Sequence, residues 1–430
     1  MLVSPTPSER PAPLPGRPRP AAADGPNLAG FARSVAATAV SNVIVAAMGA
    51  VAGIVIARAL GPTVRGEYAA IVAWFGAVLT LGEFGQSAAT TFFVAQNSVR
   101  VRDYLATSRT MMVASGLVAL TIGILAAPLL AQGDGAMALG YRLMFATCLA
   151  GFVGASYTFA LLAANLSRYN AVRIAQPAVF VAGIMALQLG GRLSLMTALA
   201  SLSISIVVQA ALAYHLCHGQ QLTGGRTDRA LARPMTRYGL SQLAANATTQ
   251  FSTYLDPLVL SIAVAPADLG RYAVAASLTM LAAPAVSAVG NVAFPRLAAR
   301  VLSDTGMARL QRHALAASAG TAIAVTVPVA CLASWLVPVA FGPAFAGAVP
   351  LVLLLAPGGI FRAWGQVCGD LLRGRGRPLA VAWAQGAAAV VMAVLLAILL
   401  PAFGVIGAAI ASSAAAGLAP LLMVRALRKQ

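Results

Sequence analysis

Residues 378–424 read PLAVAWAQGAAAVVMAVLLAILLPAFGVIGAAIASSAAAGLAPLLMV, a run of 47 residues without one charged side chain. A membrane-spanning helix needs about 20 apolar residues, because each residue rises about 1.5 Å across roughly 30 Å of hydrocarbon. The run is therefore about twice as long as one span. Pro401 and Gly404 lie near its middle, and both residue types favour a turn over a continued helix. The stretch predicts a hairpin of two membrane-spanning helices.

A second hairpin and eight single spans account for the remaining sequence. Residues 314–361 hold 48 uncharged positions, with breakers from Pro338 to Pro343 near the middle. Single apolar runs, one of them interrupted by Glu83, cover 34–57, 68–88, 110–133, 143–167, 174–191, 193–214, 238–255 and 272–295. The runs are continuously apolar, whereas strands of a membrane barrel alternate apolar and polar residues. We predict an all-α membrane protein with twelve transmembrane helices.

The overall composition supports a membrane protein. Of 430 residues, 60% are hydrophobic and 9% are charged, and the mean hydropathy is +0.83; soluble domains are about a quarter charged. Basic residues number 29 against 11 acidic ones, which gives a net charge of +18. Such an excess fits an anionic membrane surface or an anionic substrate. The apolar content excludes a soluble enzyme and disfavours nucleic acid as a partner.

The basic residues are divided unequally between the two sides of the predicted spans. Of the 29, 23 fall on the side that carries both termini, and Arg362 falls inside a span. The other side has five, which are Arg58, Arg65, Arg142, Arg192 and Arg271. Basic loops of multispanning proteins stay in the cytoplasm. We therefore expect a multi-pass protein of the cytoplasmic (inner) membrane with both termini in the cytoplasm.

The two halves of the chain repeat one pattern. Asn42, Pro62, Gly66, Tyr68 and Ala69 return 204 residues later as Asn246, Pro266, Gly270, Tyr272 and Ala273. A second echo, which needs one gap, pairs Leu161, Arg168 and Gln176 with Leu371, Arg377 and Gln385. Such repeats are typical of transporters, whose substrate site lies between the repeats. The twelve helices should therefore form two pseudo-symmetric six-helix bundles.

We predict a disordered proline-rich cytoplasmic tail (1–33), an N-terminal lobe (34–217), a cytoplasmic inter-lobe loop (218–237) and a C-terminal lobe (238–427).

Several short motifs resemble one transporter family. They are LGPTVRGEY at 60–68, LGEFG at 81–85, ADLGRY at 267–272, FGPAF at 341–345, LRGRGRP at 372–378 and GVIGAA at 404–409. They resemble the oligosaccharide flippases, which form the polysaccharide-export branch of the multidrug/oligosaccharidyl-lipid/polysaccharide exporter superfamily. The resemblance covers about residues 34–427. It departs from the family at Glu83, where the family often has an aspartate.

The resemblance implies two lobes that rock between inward-open and outward-open states. The cargo it implies is an undecaprenyl-diphosphate-linked oligosaccharide, turned to the outer leaflet for lipopolysaccharide, exopolysaccharide or capsule synthesis. Two other branches fit less well, because drug antiporters commonly have an acidic residue in the first span and lipid II flippases usually have fourteen spans. Residues 35–57 contain no acidic residue.

Two carboxylates inside predicted spans are candidate sites for a coupling ion, a proton or sodium. A charge in the bilayer core costs a few kcal/mol and needs a reason. Glu83 shares a helix face with Thr80 and Ser87. Asp256 ends a polar stripe that should line the cavity, formed with Gln242, Asn246, Thr249 and Thr253; Asn42 is its counterpart in span 1. The alternative for both carboxylates is a structural role, as a helix cap or in an ion pair.

Four arginines are candidates for binding a diphosphate, because a guanidinium binds phosphate through two parallel hydrogen bonds. Arg33 and Arg58 bracket the first span, Arg271 precedes the eighth, and Arg362 lies within the tenth. Arg33 and Arg58 can also be explained by side chains that reach the membrane interfaces. For Arg362 the alternative is a buried ion pair with Asp370 or a nearby helix end.

Missing motifs narrow the function further. Lys429 is the only lysine, so the chain lacks the phosphate-binding loop of ATPases. His215, Cys217 and His218 have no second cluster with which to hold a metal. A polysaccharide polymerase or ligase should carry a large outer loop, and every predicted outer loop is short. We expect a monomeric transporter without cofactor or metal rather than an enzyme, with a cation-coupled multidrug exporter as the alternative and a membrane enzyme of polysaccharide assembly as the weaker one.

Overall fold

The structure is a computed structural model that describes residues 28–97, 99–287, 304–375 and 377–428. The tail 1–27 and residues 288–303, the predicted end of span 8 with Arg296 and Arg300, lie outside these ranges. Within the described residues all regular structure is helical. Nine helices there are long and apolar enough to cross a membrane, and two of these are divided at a glycine into two spans each. With the shorter apolar helix Tyr254–Ala263 they make twelve spans, as predicted.

The first six spans form the N-terminal lobe. The helix Leu28–Gly82 is divided at Gly61 into span 1 (28–60) and span 2 (62–82), and Gln86–Gln96 continues span 2. The others are span 3, Val101–Leu130; span 4, Gly135–Ala164; span 5, Leu166–Leu189; and span 6, Leu195–Gly219.

The last six spans form the C-terminal lobe. They are span 7, Arg229–Ala263; span 8, Pro266–Thr279 with a 3₁₀ turn Met280–Ala282 and helix to residue 287; and span 9, Asp304–Cys331. A short helix, Ala333–Phe341, and a 3₁₀ turn, Pro343–Ala348, lead to span 10, Val349–Gly374. The helix Pro378–Arg428 is divided at Gly404 into span 11 (378–403) and span 12 (405–428).

Glycines with positive φ separate the paired spans. Gly61 has φ 75° and Gly404 has φ 57°, a backbone conformation that side chains with a Cβ rarely adopt. Gly404 confirms the break predicted near Pro401. In the other hairpin Pro338 lies inside the short helix, and Gly342 with φ 100° ends that helix. The break at Gly342 therefore lies within the predicted range, and the short helix Ala333–Phe341 precedes it.

Span 7 is shared between the lobes. Its helix begins at Arg229, so the inter-lobe loop is shorter than the predicted 218–237. Leu231 and Met235, in its first part, are buried in an apolar cluster with spans 2 to 6 of the N-terminal lobe. Leu255 and Leu260, in its last part, pack in the core that contains span 8. The start of span 7 thus packs against the N-terminal lobe, whereas its end packs in an apolar core to which both lobes contribute.

The second sequence echo has a matching structural role in each lobe. Arg168 Nη1, at the start of span 5, donates to the carbonyl oxygen of Leu216 near the end of span 6 at 3.2 Å. Arg377 Nη1, just before span 11, donates to the carbonyl oxygen of Ala426 near the end of span 12 at 2.8 Å. Free carbonyls at a helix C-terminus are well satisfied by a cation. The repeated arginine therefore joins the last two spans of each lobe at the same end of the molecule.

The lobes are joined at one end of the molecule and separate towards the other. We call the end that carries residues 97–101, 165, 220–228 and 428 the basic end, and the other the opposite end. One apolar core crosses both lobes and includes Ile56 near the opposite end of span 1 and Phe345 beyond span 9. Nearer the basic end, the N-terminal and C-terminal spans have separate apolar clusters. Hydrogen bonds from Arg58 to the Val339 carbonyl (2.8 Å) and from Gln132 to the Ile262 carbonyl (2.9 Å) join the lobes at the opposite end.

Candidate substrate cavity and intramembrane charges

Each lobe contains a cavity, and the two adjoin between the lobes. The N-lobe cavity has a volume of about 770 Å³ and is lined mainly by spans 2, 4, 5 and 6. The C-lobe cavity has a volume of about 470 Å³ and is lined mainly by spans 8, 10, 11 and 12. Both are lined by Ala69, Pro257 and Met280. Volumes of this size are typical of ligand sites.

The N-lobe cavity is positively charged. Arg65 of span 2 and Arg173 of span 5 line it, and none of its described lining residues is acidic. Each guanidinium lies beside an aromatic ring, Arg65 5.6 Å from the ring centre of Tyr68 and Arg173 5.4 Å from that of Tyr169. A ring attracts a cation but does not neutralise it. Arg65 Nε is buried and has no hydrogen-bond partner within the described structure.

Neutral polar groups complete the N-lobe cavity. Gln176 Nε2 donates to Ser205 Oγ at 3.3 Å, and Gln209 Nε2 donates to the Val172 carbonyl at 3.4 Å. Both glutamines line the cavity. Gln176 belongs to the second sequence echo, and its partner Gln385 lines the C-lobe cavity. The repeat therefore places an amide at both cavities, and each amide can donate to and accept from a hydroxylated ligand.

Asp256 lies at the centre of a hydrogen-bond network in the C-terminal lobe. Its Oδ2 accepts from the hydroxyls of Tyr272 and Ser412, each at 2.8 Å. Arg362 Nη1 lies 3.9 Å from Oδ2, and Arg362 Nη2 donates to Ser412 Oγ at 3.1 Å. The Asp256 side chain is 7% exposed. The network joins spans 7, 8, 10 and 12.

Arg362 lines the C-lobe cavity, which shows that span 10 contributes to the cavity wall. The alternative of an ion pair with Asp370 is wrong, because Asp370 pairs with Arg373 at 3.1 Å. Asp370 and Arg373 lie within one turn of each other on span 10. The longer-range pair with Asp256 depends on how spans 7 and 10 pack, which the local spacing of charges does not reveal.

Glu83 lies where span 2 is interrupted. Phe84 and Gly85 have positive φ (49° and 71°), and the helix resumes at Gln86. Ser87 donates a hydrogen bond to the Glu83 carboxylate, in agreement with the predicted shared face. Thr80, the third member of that face, is hydrogen-bonded instead to the Tyr254 hydroxyl at 3.2 Å. Glu83 is not among the described residues that line either cavity.

The other candidate arginines have partners outside the cavities. Arg58 binds the Val339 carbonyl at the opposite end, and Arg271 pairs with Asp268 at 3.0 Å. Neither belongs to the described cavity lining, and neither does Asn42, whose Oδ1 is buried without a hydrogen-bond partner in the described structure. The side chain of Arg33 lies outside the described part of the chain.

The polar stripe of span 7 is described only at its two ends. Gln242 is half-buried, and Asp256 belongs to the network above. The side chains of Asn246, Thr249 and Thr253 lie outside the described residues. Their role in lining a cavity remains a proposal.

The spacing of charges along the sequence does not identify Arg65 and Arg173 as cavity residues. When a span is taken to run from one charge to the next, both arginines fall in loops. The helices in fact continue through both arginines, since span 2 begins at residue 62 and span 5 at Leu166. The signal was Pro62, which favours the first turn of a helix and would have placed Arg65 inside the span.

Comparison with known families gives one match. The family model described as "Polysaccharide biosynthesis protein" matches residues 31–300. No curated protein matches the sequence.

Solved structures show the same fold. An inward-closed lipid II flippase MurJ has a TM-score of 0.76 at 12% identity, covering 91% of this chain and 87% of the other. An inward-facing multidrug resistance transporter of the MATE family in the MOP superfamily has a TM-score of 0.73 at 14% identity, covering 89% and 93%. An outward-facing MATE transporter reaches 0.61 at 14% identity, covering 93% and 96%.

Proposed function

The chain belongs to the polysaccharide biosynthesis protein family, and it has the fold of MOP-superfamily transporters; we propose that it is a flippase for undecaprenyl-diphosphate-linked oligosaccharide. The cargo crosses the cytoplasmic membrane to serve surface polysaccharide synthesis, lipopolysaccharide being one such product. Alternating access of the two lobes exposes the cavity first to the basic end and then to the opposite end.

The observation that carries this proposal is the pair of arginines in the N-lobe cavity. Arg65 and Arg173 have no acidic partner among the described lining residues. Uncompensated cations in a membrane cavity are costly, and an anionic cargo removes that cost. A diphosphate offers several acceptor oxygens that a guanidinium binds in pairs.

The two arginines lie at different depths. Arg173 is about two turns into span 5 from its start at Leu166, near the basic end. Arg65 is within one turn of residue 62, near the opposite end of span 2. We propose that Arg173 meets the diphosphate first and that Arg65 receives it as the lobes move. The glutamines Gln176 and Gln385 are placed to bind sugar hydroxyls.

We also propose an orientation in the membrane. The basic end contains the loops with most of the arginines, which supports a cytoplasmic location for that end, because basic loops of multispanning proteins stay in the cytoplasm. We propose that the cavities open to the cytoplasm in this structure, where the lipid-linked substrate is made. A cycle then begins with cargo entry from the inner leaflet.

The function is tested in cells and in vesicles. Deleting the gene should make a lipid-linked oligosaccharide accumulate on the inner leaflet, and normal surface glycan in the deletion strain would refute the proposal. Purified full-length protein in liposomes should move a fluorescent undecaprenyl-diphosphate sugar between leaflets. A matched undecaprenyl-linked sugar without the diphosphate should not move.

The rival function is cation-coupled export of drugs, since MATE transporters share the fold. A cationic drug would be repelled by Arg65 and Arg173 in the N-lobe cavity. Drug resistance that falls on deletion, with unchanged surface glycan, would favour the rival. The same liposomes distinguish the two cases, because cationic dyes should leave the vesicles only under the rival function.

A further inference from the structure

The Asp256 carboxylate is surrounded by donors that the protein itself supplies. Tyr272 and Ser412 donate to Oδ2, and the Arg362 guanidinium lies 3.9 Å away. Ser412 is bonded to both charged residues, so it fixes the distance between them. The carboxylate is buried in the membrane-spanning part of the lobe, where an unpaired charge is unstable.

Arg362 is the counter-charge that this carboxylate has within the described structure. The charged residues that line the C-lobe cavity are Asp256, Arg362 and Arg373. Arg373 forms an ion pair with Asp370 at 3.1 Å. Asp256 and Arg362 therefore neutralise each other across spans 7 and 10.

We infer that Arg362 is a built-in counter-ion, whose guanidinium takes the place beside Asp256 that a sodium ion or a proton would otherwise take. The C-terminal lobe consequently completes its cycle without binding a coupling cation at Asp256. Asp256 then balances the charge of Arg362 and does not bind a coupling ion.

The physical reason is the cost of an unpaired intramembrane charge. Removing one member of a buried ion pair leaves the other uncompensated and is strongly destabilising, whereas removing both charges is often nearly neutral. A carboxylate freed of its arginine recovers a partner by binding a cation or a proton. The variant without Arg362 should thus acquire the cation dependence that the unchanged protein lacks.

The experiment measures the apparent melting temperature of the purified full-length protein in sodium chloride and in choline chloride at equal ionic strength. Unchanged protein should melt at the same temperature in both salts. Arg362→Gln should lower the melting temperature by on the order of 5 °C in choline, and sodium or mild acid should restore part of the loss. Asp256→Asn should lower it by a similar amount without any response to sodium.

Two further variants separate charge balance from simple misfolding. The double variant Asp256→Asn/Arg362→Gln should melt close to the unchanged protein in both salts. Arg362→Lys retains the charge and should remain insensitive to sodium. Arg373→Gln, which breaks the neighbouring pair with Asp370, is the control and should leave the melting temperature independent of the salt.

Two results would overturn the inference. One is a sodium-dependent rise in the melting temperature of the unchanged protein that Asp256→Asn abolishes, and the other is a double variant that is no more stable than the single variants. Melting requires no cargo, so the salt response decides the counter-ion even if the proposed substrate is wrong.

Discussion

Gly66 of span 2 and Gly270 of span 8 lie against each other at the opposite end, and each faces the proline that begins the other span. A Cβ at Gly66 would lie 1.7 Å from the Pro266 carbonyl oxygen, and one at Gly270 would lie 2.0 Å from that of Pro62. These are the glycines and prolines of the first sequence echo. The repeat therefore marks the contact that holds the lobes together in this state.

The first prediction concerns this contact. Gly66→Ala and Gly270→Ala should each disfavour the state in which the lobes meet at the opposite end, because a Cβ within 2.0 Å of backbone atoms forces the helices apart. We expect strongly reduced transport with normal membrane insertion. A chemical probe should reach the cavity more readily from the opposite end.

Gly49→Ala is the matched control for both variants. Nothing lies within 4 Å of a Cβ at Gly49, and alanine is the better helix former. Its transport should equal that of the unchanged protein. Full transport in Gly66→Ala would show that close approach at this position is dispensable for the cycle.

The second prediction concerns the N-lobe arginines. Arg65→Gln and Arg173→Gln should each weaken binding of an undecaprenyl-diphosphate sugar by about 10- to 100-fold, because a hydrogen bond to a charged group contributes about 1.5–3 kcal/mol. Titration of the purified protein with the lipid-linked sugar measures the loss. Arg142→Gln is the control, since Arg142 is exposed and lies outside both described cavity linings. If all three variants bound the lipid-linked sugar with equal affinity, Arg65 and Arg173 would not belong to the binding site.

The third prediction concerns orientation. Gly135 and Gly219 are exposed at the opposite and basic ends, with nothing within 4 Å of an added Cβ. In a background with Cys331→Ser, which removes the exposed cysteine, a membrane-impermeant maleimide should label Gly135→Cys in intact cells. It should label Gly219→Cys only after the cells are opened. The reverse pattern would place the basic end outside.

The fourth prediction concerns the inter-lobe loop and its pH dependence. Arg100 pairs with Asp228 at 2.5 Å, and this hydrogen bond lowers the pKa of Asp228 from its ordinary value of 3.8. Because the pKa of Asp228 is lowered in the folded state, the Arg100–Asp228 ion pair stabilises the loop above pH 3.8. This stabilisation is lost as the pH falls through the lowered pKa of Asp228. At neutral pH, Asp228→Asn and Arg100→Gln should therefore speed amide exchange in residues 220–228.

The control for the loop is Arg226→Gln. Asp103 accepts from the backbone amide of Arg226 at 3.1 Å, so that contact survives a change of the side chain. Asp228→Asn also keeps a side-chain oxygen, which can accept from the Ala230 amide as Oδ1 does at 2.8 Å. Faster exchange in the Arg226 variant as well would show that net charge, rather than the ion pair, holds the loop.

The sequence alone predicted those features that depend on neighbours along the chain. An uncharged run of known length predicts a span, and Gly404 breaks one such run because its backbone conformation disfavours a Cβ. The repeat of Pro62 and Gly66 at Pro266 and Gly270 was visible as spacing. Twelve helices in two related bundles follow from these local signals.

Tertiary structure decided which charges meet. Asp256 and Arg362 are 3.9 Å apart although spans 8 and 9 separate them in the chain, and span 7 divides its contacts between the lobes. Arg65 and Arg173 reach one cavity only because spans 2 and 5 line the same space. The hydropathy of a segment depends only on residues that are neighbours along the chain. An ion pair or a cavity depends instead on how the helices rotate and pack. The sequence therefore determined the spans, and the packing of those spans determined the site.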